Sequence, residues 1–239
     1  MRQDISTYPS TKNIYTDGSY LAKTGGTWHL EDSPFKARQV AKMLARHIEI
    51  KLDTICEIGC GAGGILAELQ KMLSSHIAFT GYDISPQAHA LSAQFSNPRC
   101  QFILGDAFAD RSQYDLVLVT DVIEHVEDYF SFLRQTKEKG DWKLYHIPLE
   151  AYVVGVLRGF NYWDTLGHLH VFTIETALRA LEHTGHRVVD WIFTDGAISI
   201  PTKTLRGRIA NLVRMPLSKY STKLASRILG GYSMLVLAK

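Results

Sequence analysis

Apolar runs and amphipathic stretches alternate along this chain. The clearest run, residues 114–120 (YDLVLVT), is almost continuously apolar, which is typical of a parallel strand buried on both faces. Between such runs, apolar residues recur every three or four positions, and this spacing indicates helices with one buried face. The pattern predicts strands at 55–58, 77–82, 100–104, 114–120, 142–147, 186–194 and 232–238. It predicts helices at 33–48, 65–72, 86–95, 121–137 and 173–183.

The order of these elements predicts the fold class. Strands alternate with helices through the fifth strand, which indicates an α/β protein with a doubly wound, mostly parallel sheet. We expect residues 1–50 to form an N-terminal arm and helix that act as a lid on a domain of residues 51–239. Two long inserts, 149–172 and 196–230, interrupt that domain. The first follows strand five, at the edge of the sheet where open α/β sheets bind ligands.

A glycine-rich turn, residues 54–66 (TICEIGCGAGGIL), joins the first strand to the next helix. Gly59, Gly61 and Gly63 let the backbone adopt positive φ and approach a ligand closely. The helix that follows offers free N–H groups and the positive end of its dipole. Glycine turns also join strands to helices for packing alone, but the strand before this turn and the helix after it favour a nucleotide-type site.

Acidic residues at three strand ends indicate the kind of ligand. Asp83 lies twenty residues beyond Gly63, where an acid can bind ribose hydroxyls, although it could instead cap the helix that Pro86 begins. Asp106, after the third strand, could accept from an adenine amino group or serve as a turn residue. Glu57 lies just before the first glycine, where an acid disfavours pyrophosphate. An adenosine ligand that carries a cationic amino group fits all three acids.

Composition indicates an ordinary globular protein of a reducing compartment. The chain is 46% hydrophobic and 21% charged, which excludes a disordered or fibrous class. The three cysteines, Cys56, Cys60 and Cys100, show no paired spacing and so no disulfide framework. The polar N-terminal residues hold no apolar secretion signal, and no stretch has the length of a membrane span. We therefore expect a cytoplasmic protein.

Charge is unevenly distributed along the chain. Residues 196–239 hold eight Lys and Arg and no acid, so with a net charge of +2 overall the first 195 residues carry −6. Within the basic segment 203–227, apolar residues recur at helical spacing on both sides of Pro216, which we expect to separate two helices. This segment is a candidate for contact with an anionic membrane or a phosphate-bearing acceptor. The plain alternative is a pair of solvated helices that cover the sheet.

The motifs taken together resemble a known family. Residues 57–63 (EIGCGAG) are similar to the first motif of the class I S-adenosylmethionine-dependent methyltransferases. Asp83, residues 105–107 and residues 114–126 resemble the later motifs in the same order. The resemblance implies a Rossmann-like sheet whose seventh strand runs antiparallel between strands five and six. It also implies S-adenosylmethionine as the cofactor and S-adenosylhomocysteine as the product.

The resemblance assigns roles to the ligand site. It implies that Glu57 and the glycine turn hold the methionine end, Asp83 the ribose, and Asp106 with Ala107 the adenine. The expected cofactor-binding residues are Glu57, Gly59, Cys60, Gly61, Gly63, Asp83, Ile84, Asp106, Ala107, Thr120 and Asp121.

A second group of polar residues follows the fourth strand. Asp121, Glu124 and His125 have the i, i+3, i+4 spacing that shares one helix face, and His168 and His170 come later. Ubiquinone-pathway O-methyltransferases and small-RNA 2′-O-methyltransferases carry a similar acid-x-x-Glu-His element. In the RNA group a histidine in a His-x-Phe context, which His170 resembles, completes a magnesium site. Here Asp121 replaces the usual Glu, so the carboxylate is shorter.

Three interpretations of this group stay open. A divalent metal on Asp121, Glu124, His125 and His170 would orient an acceptor oxygen and lower its pKa. Alternatively, His125 or His170 acts as a general base, because a hydroxyl must lose a proton as it takes the methyl. The Glu-His pair could also be structural. We take His125, Glu124 and His170 as the catalytic candidates and assign no metal.

These residues favour methyl transfer to an oxygen of a small molecule: a sugar, a phenol or a quinone-type acceptor, in free or lipid-linked form. The alternatives are an RNA ribose 2′-O-methyltransferase and a nonenzymatic S-adenosylmethionine-binding regulatory subunit. The chain shows no RNA-binding module and is barely positive, so we do not expect a nucleic-acid partner. Aromatic residues would enclose the acceptor or simply pack the lid. They are Tyr15, Tyr20, Trp28, Tyr152, Phe160, Tyr162 and Trp163. The pattern does not predict an oligomeric state.

Overall fold

A seven-stranded sheet forms the centre of the protein. The computed structural model describes residues 11–159, 167–201 and 205–239. The strands are β1 (Thr54–Ile58), β2 (Ala78–Asp83), β3 (Cys100–Leu104), β4 (Tyr114–Thr120), β5 (Gly140–Pro148), β6 (Val188–Thr194) and β7 (Ser233–Ala238). Their order is β3-β2-β1-β4-β5-β7-β6. β1 to β5 pair in parallel, and β7 runs antiparallel between β5 and β6. The predicted doubly wound fold with an antiparallel seventh strand is confirmed.

Helices lie on both faces of this sheet and at its carboxyl edge. They are α1 (Thr11–Thr16), α2 (Ser19–Lys23), α3 (Ser33–Arg46), α4 (Gly64–Met72), α5 (Pro86–Ser92), α6 (Tyr129–Lys137), α7 (Val153–Leu157), α8 (Ile174–His183), α9 (Gly196–Ser199), α10 (Leu205–Tyr220) and α11 (Thr222–Leu229). In the described parts of the chain, none of these helices has both the length and the apolar composition needed to cross a membrane.

Alternate residues of β4 point to opposite faces of the sheet. Val117 and Val119 belong to the core that α6 and α8 cover, whereas Leu116 and Leu118 belong to the core that α3 and α4 cover. All four side chains are buried. A strand buried on both faces has no polar side, which explains the nearly continuous apolar run in the sequence.

The helix expected from Asp121 to residue 137 is interrupted. Asp121 has a φ of 53°, in the left-handed region, and only a 3₁₀ turn follows at Ile123–His125. The helix proper, α6, begins at Tyr129 because the side chain of Asp128 accepts a hydrogen bond from the backbone N–H of Ser131. The spacing of the three polar residues therefore does not come from a continuous helix.

The expected break at Pro216 is also wrong. α10 runs through Pro216 and ends at Tyr220. The boundary lies at Ser221, whose hydroxyl caps α11 by accepting from the backbone N–H of Leu224. Pro216 is exposed, so the carbonyl that lacks its usual N–H partner one turn earlier can bind water instead.

The sheet order brings the ends of three strands together. β1 lies between β2 and β4, and the three are parallel, so the residues after Ile58, Asp83 and Thr120 meet at one edge. The glycine turn, the second acid and the Asp121 group are therefore neighbours, as the motif order predicts.

Candidate functional site

The glycine turn after β1 is held in place by backbone hydrogen bonds. The N–H groups of Gly59 and Cys60 donate to the carbonyl of Tyr82 at 2.8 and 3.0 Å, and the N–H of Gly61 donates to a carboxylate oxygen of Asp83 at 2.8 Å. Gly61 has a φ of 53°, and a Cβ there would lie 2.7 Å from the ring of Trp28. The turn thus requires glycine both for its backbone and for the indole that packs on it.

Gly63, the third glycine expected to bind the cofactor, packs closely against a neighbouring aromatic ring. It has a φ of 78° and directly precedes α4, and a Cβ there would lie 2.6 Å from a ring carbon of Phe102. It is absent from the lining of both cavities described below, whereas Gly59, Cys60 and Gly61 line the larger one. The structure therefore explains Gly63 by packing.

Glu57 presents a buried carboxylate beneath this turn. The residue is only 1% exposed, and its Oε2 has no hydrogen-bond partner among the described residues. Burial raises its pKa to about 8. The nearby Thr120 favours the charged form, but its buried hydroxyl makes no hydrogen bond of acceptable geometry. Such an unsatisfied acid is costly unless a ligand supplies donors and positive charge.

Asp83 lies at the end of β2 with both oxygens oriented by the backbone. Oδ2 accepts from Gly61 and Oδ1 accepts from Ser85, each at 2.8 Å. Burial raises the pKa of this carboxyl, and the two N–H donors oppose that shift. A carboxylate oxygen has more than one lone pair, so each can still accept from a ligand hydroxyl.

A cavity of about 710 Å³ extends from Asp83 along the ends of β2 and β3. Its lining includes Ile84, Asp106, Ala107 and Phe108. The carboxylate of Asp106 accepts from the backbone N–H of Phe108 at 2.9 Å, so it caps the short turn. Asp106 also lines the cavity, so the turn and ligand interpretations are compatible.

A second cavity of about 780 Å³ adjoins the first. It contains Glu57, the glycine turn and Glu124 in its lining. Residues common to both cavities form their shared wall: Tyr20, Trp28, Gly59, Asp121 and His125. An elongated ligand can therefore place one end near Asp106 and the other near Glu57.

Asp121 is engaged by two basic side chains. Its Oδ2 lies 2.7 Å from Nζ of Lys36, and its Oδ1 lies 2.6 Å from Nδ1 of His146. Burial favours the neutral acid, but His146 and Lys36 outweigh it and hold the pKa of Asp121 far below its ordinary value. With both oxygens occupied, Asp121 is poorly placed for the metal role considered from the sequence.

Glu124, His125 and His168 form a compact group beside the shared wall. One possible ligand atom from each lies within 4.8 Å of the others. Glu124 is completely buried, and neither carboxylate oxygen has a hydrogen-bond partner among the described residues. Burial, followed by the charge of Asp121, raises the pKa of Glu124 well above its usual range.

His125 is an uncharged imidazole at neutral pH. Burial and the neighbouring His168 lower its pKa to about 4. Its Nδ1 lies 2.7 Å from the hydroxyl of Tyr15 and 3.1 Å from the carbonyl of Gly167. In one tautomer of His125 the proton is on Nδ1, and this N–H donates to the carbonyl of Gly167. The other ring nitrogen, Nε2, then carries the lone pair and can accept a proton.

The structure does not bring His170 into this group. Its Nε2 donates to the carbonyls of Val126 and Glu127 at 3.0 and 3.2 Å. A nitrogen that donates in this way can neither take a proton nor bind a metal. His168, whose Nδ1 contacts a carboxylate oxygen of Glu150 at 2.6 Å, occupies the place that we expected for His170.

Two arginines line the larger cavity. Arg158 follows α7, and Arg214 lies on α10. Nε of Arg214 donates to the carbonyl of Gly230 at 2.9 Å, and its Nη1 donates to Oδ1 of Asn211 at 2.5 Å. Within the described ranges, neither arginine lies within ion-pair distance of a carboxylate.

Sequence reasoning did not single out several lining residues. Lys36, His146 and Arg158 enter through tertiary contacts between elements far apart in sequence, and no local spacing marks them. Arg214 belongs to the basic segment 203–227, but its place in the cavity lining was not predicted. The aromatic residues of the arm, Tyr15, Tyr20 and Trp28, line the cavities as the enclosure hypothesis expects. Phe160, Tyr162 and Trp163 lie outside the described residues, and Tyr152 packs against Gly230.

The chain is similar in sequence to one family model and in fold to many solved structures. Residues 56–139 match a model described as a methyltransferase domain. A putative sarcosine dimethylglycine methyltransferase from Galdieria sulphuraria superposes with a TM-score of 0.65 at 13% identity, over 93% of this chain and 97% of that one. Magnesium protoporphyrin IX methyltransferase from Synechocystis PCC 6803, with bound S-adenosylmethionine, superposes with a TM-score of 0.60 at 13% identity, over 98% and 99%.

A third similar structure is that of a protein named for a different reaction, a cyclisation. The cyclase SpnF superposes with a TM-score of 0.62 at 14% identity, over 97% of each chain. No curated protein matches the chain. At these identities the similarity to solved structures establishes the fold, and the reaction must be argued from the site itself.

Proposed function

We propose that this chain, whose residues 56–139 match a model described as a methyltransferase domain, transfers a methyl group from S-adenosylmethionine to an oxygen of a small molecule. The observation that carries the proposal is the buried carboxylate of Glu57, whose Oε2 has no hydrogen-bond partner among the described residues and which lines the cavity adjoining that of Asp83 and Asp106. A dinucleotide would place phosphate near that acid, whereas S-adenosylmethionine offers an ammonium group.

The residues present fit this cofactor along its whole length. Glu57 and the turn would hold the amino-acid end, Asp83 the ribose hydroxyls, and Asp106 with Ile84 the adenine. Once bound, the cofactor supplies a methyl group on an electrophilic sulfonium. The protein has to exclude water and align an acceptor with that methyl. Trp28 and Tyr20, which lie across both cavities, are suited to exclude water.

His125 is the residue best placed to take the acceptor proton. It lines both cavities and is neutral at pH 7, so Nε2 in the tautomer described above can accept a proton from a hydroxyl. Glu124 lies beside it, and its carboxyl, which has no hydrogen-bond partner among the described residues, can orient the acceptor. This pairing favours an oxygen acceptor, because an amine that is already neutral needs less help to react.

The two arginines in the lining of the larger cavity suggest the class of acceptor. Arg214 is held by two hydrogen bonds with no carboxylate beside it among the described residues, and Arg158 lies nearby in the lining. Arginines in that state suit a phosphate or carboxylate group. We therefore expect a hydroxyl-bearing acceptor with an anionic substituent.

A divalent cation is a second way to use the same group. Glu124, His125 and His168 offer one carboxylate and two imidazoles, a donor set that suits zinc or iron, and Glu150 supports His168 as outer carboxylates often support metal-bound histidines. Full activity in excess chelator would reject this mechanism and leave His125 as the base.

Calorimetric titration with S-adenosylmethionine tests the proposal at its first step. We expect saturable binding, about tenfold or more weaker in Asp83→Ala and in Glu57→Gln because each change removes a hydrogen-bonded charge contact. The matched control is Glu182→Gln, at an exposed acid of α8 that pairs with Arg179 on the same helix. Absence of binding by the unaltered protein would overturn the proposal.

A further inference from the structure

Helix α10 exposes the apolar side that a surface helix normally buries. Its outward face contains four large apolar residues at i, i+4, i+7 and i+8 spacing, which is one stripe of a helix. They are Leu205, Ile209, Leu212 and Val213, with exposed fractions of 73%, 56%, 73% and 58%. A contiguous exposed apolar stripe of this kind marks an interaction surface.

The orientation of this helix is fixed by polar contacts on its inner face. Asn211 donates to the carbonyl of Ala197 at 2.7 Å, and Arg214 donates to the carbonyl of Gly230. Gly207 and Ala210 line the larger cavity on the same side. The helix cannot roll to bury its stripe without breaking these hydrogen bonds, so the exposed apolar face is built into the fold.

Basic residues flank the stripe, and acids are absent from the sequence around it. Arg208 and Lys219 are exposed on α10 beside the apolar residues. No Asp or Glu occurs anywhere from residue 196 to residue 239. α7 contributes further exposed apolar side chains at Val156 and Leu157, and it packs against α11, the neighbour of α10.

We propose that the outward face of α10 docks on an anionic lipid membrane. The apolar stripe would enter the boundary between headgroups and acyl chains, and Arg208 and Lys219 would meet lipid phosphates. A second copy of this chain suits the face less well, because two such faces would bring like charges together. The positive charge beside the apolar stripe is complementary to an anionic bilayer, which we therefore take as the binding partner of this face.

Co-flotation with vesicles tests this proposal directly. The purified full-length chain is mixed with vesicles of phosphatidylcholine alone or of equal parts phosphatidylglycerol and phosphatidylcholine. We expect flotation with the anionic vesicles, weakening as salt is raised, and little with the neutral ones. The double variant Ile209→Glu with Leu212→Glu should lower the partition coefficient by at least about tenfold, since it removes two inserted side chains and adds negative charge.

Ile48→Glu is the matched control. Ile48 is 87% exposed but lies in the turn before β1, at the opposite edge of the sheet. The partition coefficient of this variant should therefore stay within about twofold of that of the unaltered protein. Equal melting temperatures and equal S-adenosylmethionine affinities would show that the double variant is folded. Flotation that is absent at low salt, or unchanged in the double variant, overturns the proposal. A dimer in light scattering that the double variant dissociates, with no vesicle binding, assigns the face to a second copy and also overturns it.

Discussion

At the scale of single residues, the site depends on two buried carboxylates with oxygens that have no hydrogen-bond partner among the described residues. Glu57 and Glu124 both lie in the interior with raised pKa values, and burial is the largest cause in each. A fold gains nothing in stability from such acids, because their charged forms are disfavoured there. Their position beside a cavity is typical of groups kept for a ligand or for proton transfer.

We expect Glu57→Gln to stabilise the ligand-free protein at alkaline pH. The folded pKa of Glu57, about 8, lies above the ordinary carboxyl value, so its contribution to stability is full at acidic pH and is lost as pH rises through 8. Glutamine does not titrate, so the variant does not lose stability in this way. Its unfolding free energy should exceed that of the unaltered protein by an amount that grows to a few kcal/mol between about pH 5 and pH 9. Thermal unfolding across that range measures it. A difference that does not change with pH would contradict the assignment.

We expect His125→Asn to reduce kcat by about a hundredfold with little change in S-adenosylmethionine affinity, since a general base contributes to the chemical step. Steady-state kinetics and calorimetry separate the two quantities. His170→Asn is the comparison, because the Nε2 of His170 is already used by backbone carbonyls. Equal losses of kcat in both variants would argue against His125 as the base.

At the scale of elements, the turn after β1 and the N-terminal arm form one unit. The ring of Trp28 packs on Gly61, and the hydroxyl of Tyr15 contacts His125. The arm is fastened further where the side-chain amide of Gln87 donates to the carbonyl of Thr16 at 3.1 Å. The predicted lid role of residues 1–50 is consistent with these contacts and stays a prediction.

We expect Gly61→Ala to displace Trp28 and to weaken S-adenosylmethionine binding by about tenfold or more. The new methyl would lie 2.7 Å from the indole, and the backbone has a φ of 53°. Gly25→Ala is the control for backbone strain alone, because its φ is 64° and a Cβ there meets nothing within 4 Å. Titration of both variants with S-adenosylmethionine separates the effect of the indole contact from that of backbone strain. Equal affinities in the two variants would contradict a role for the indole contact in binding.

The sequence predicts the elements well where one local rule applies. The run at 114–120 coincides with β4, and the helix predicted at 173–183 coincides with α8, which Thr173 caps. Prediction from sequence fails where a long-range contact or a competing helix cap determines where a helix begins or ends. The left-handed backbone at Asp121, held between Lys36 and His146, breaks the expected helix, and no residue near it in sequence indicates this.

The candidate site, like the fold, is predictable from the sequence only in those parts that follow from local spacing. The turn and the acids after β1, β2 and β3 follow from spacing, because parallel strand order brings them to one edge. The choice between His168 and His170 does not follow, since both are in the same short segment and only the backbone path decides which ring faces Glu124. The same holds for Arg214, which becomes a cavity residue only because α10 turns its polar side inward.

At the scale of the whole molecule, α10 links two surfaces. Its inner side lines the larger cavity, and its outer side presents the apolar stripe. If both proposals hold, an amphiphilic acceptor with an anionic headgroup could reach the cavity from a membrane surface. This would also explain why the basic residues concentrate at one end of a chain that is only slightly positive overall.

The most direct test of the central claim is a transfer assay with S-adenosylmethionine labelled on its methyl group. The purified protein is incubated with a cell extract divided into small-molecule, lipid and RNA fractions. We predict label in an acceptor of the small-molecule or lipid fraction, with loss of that label in Asp83→Ala and its retention in Glu182→Gln. Label confined to RNA, or S-adenosylmethionine binding without transfer to any fraction, would contradict the account.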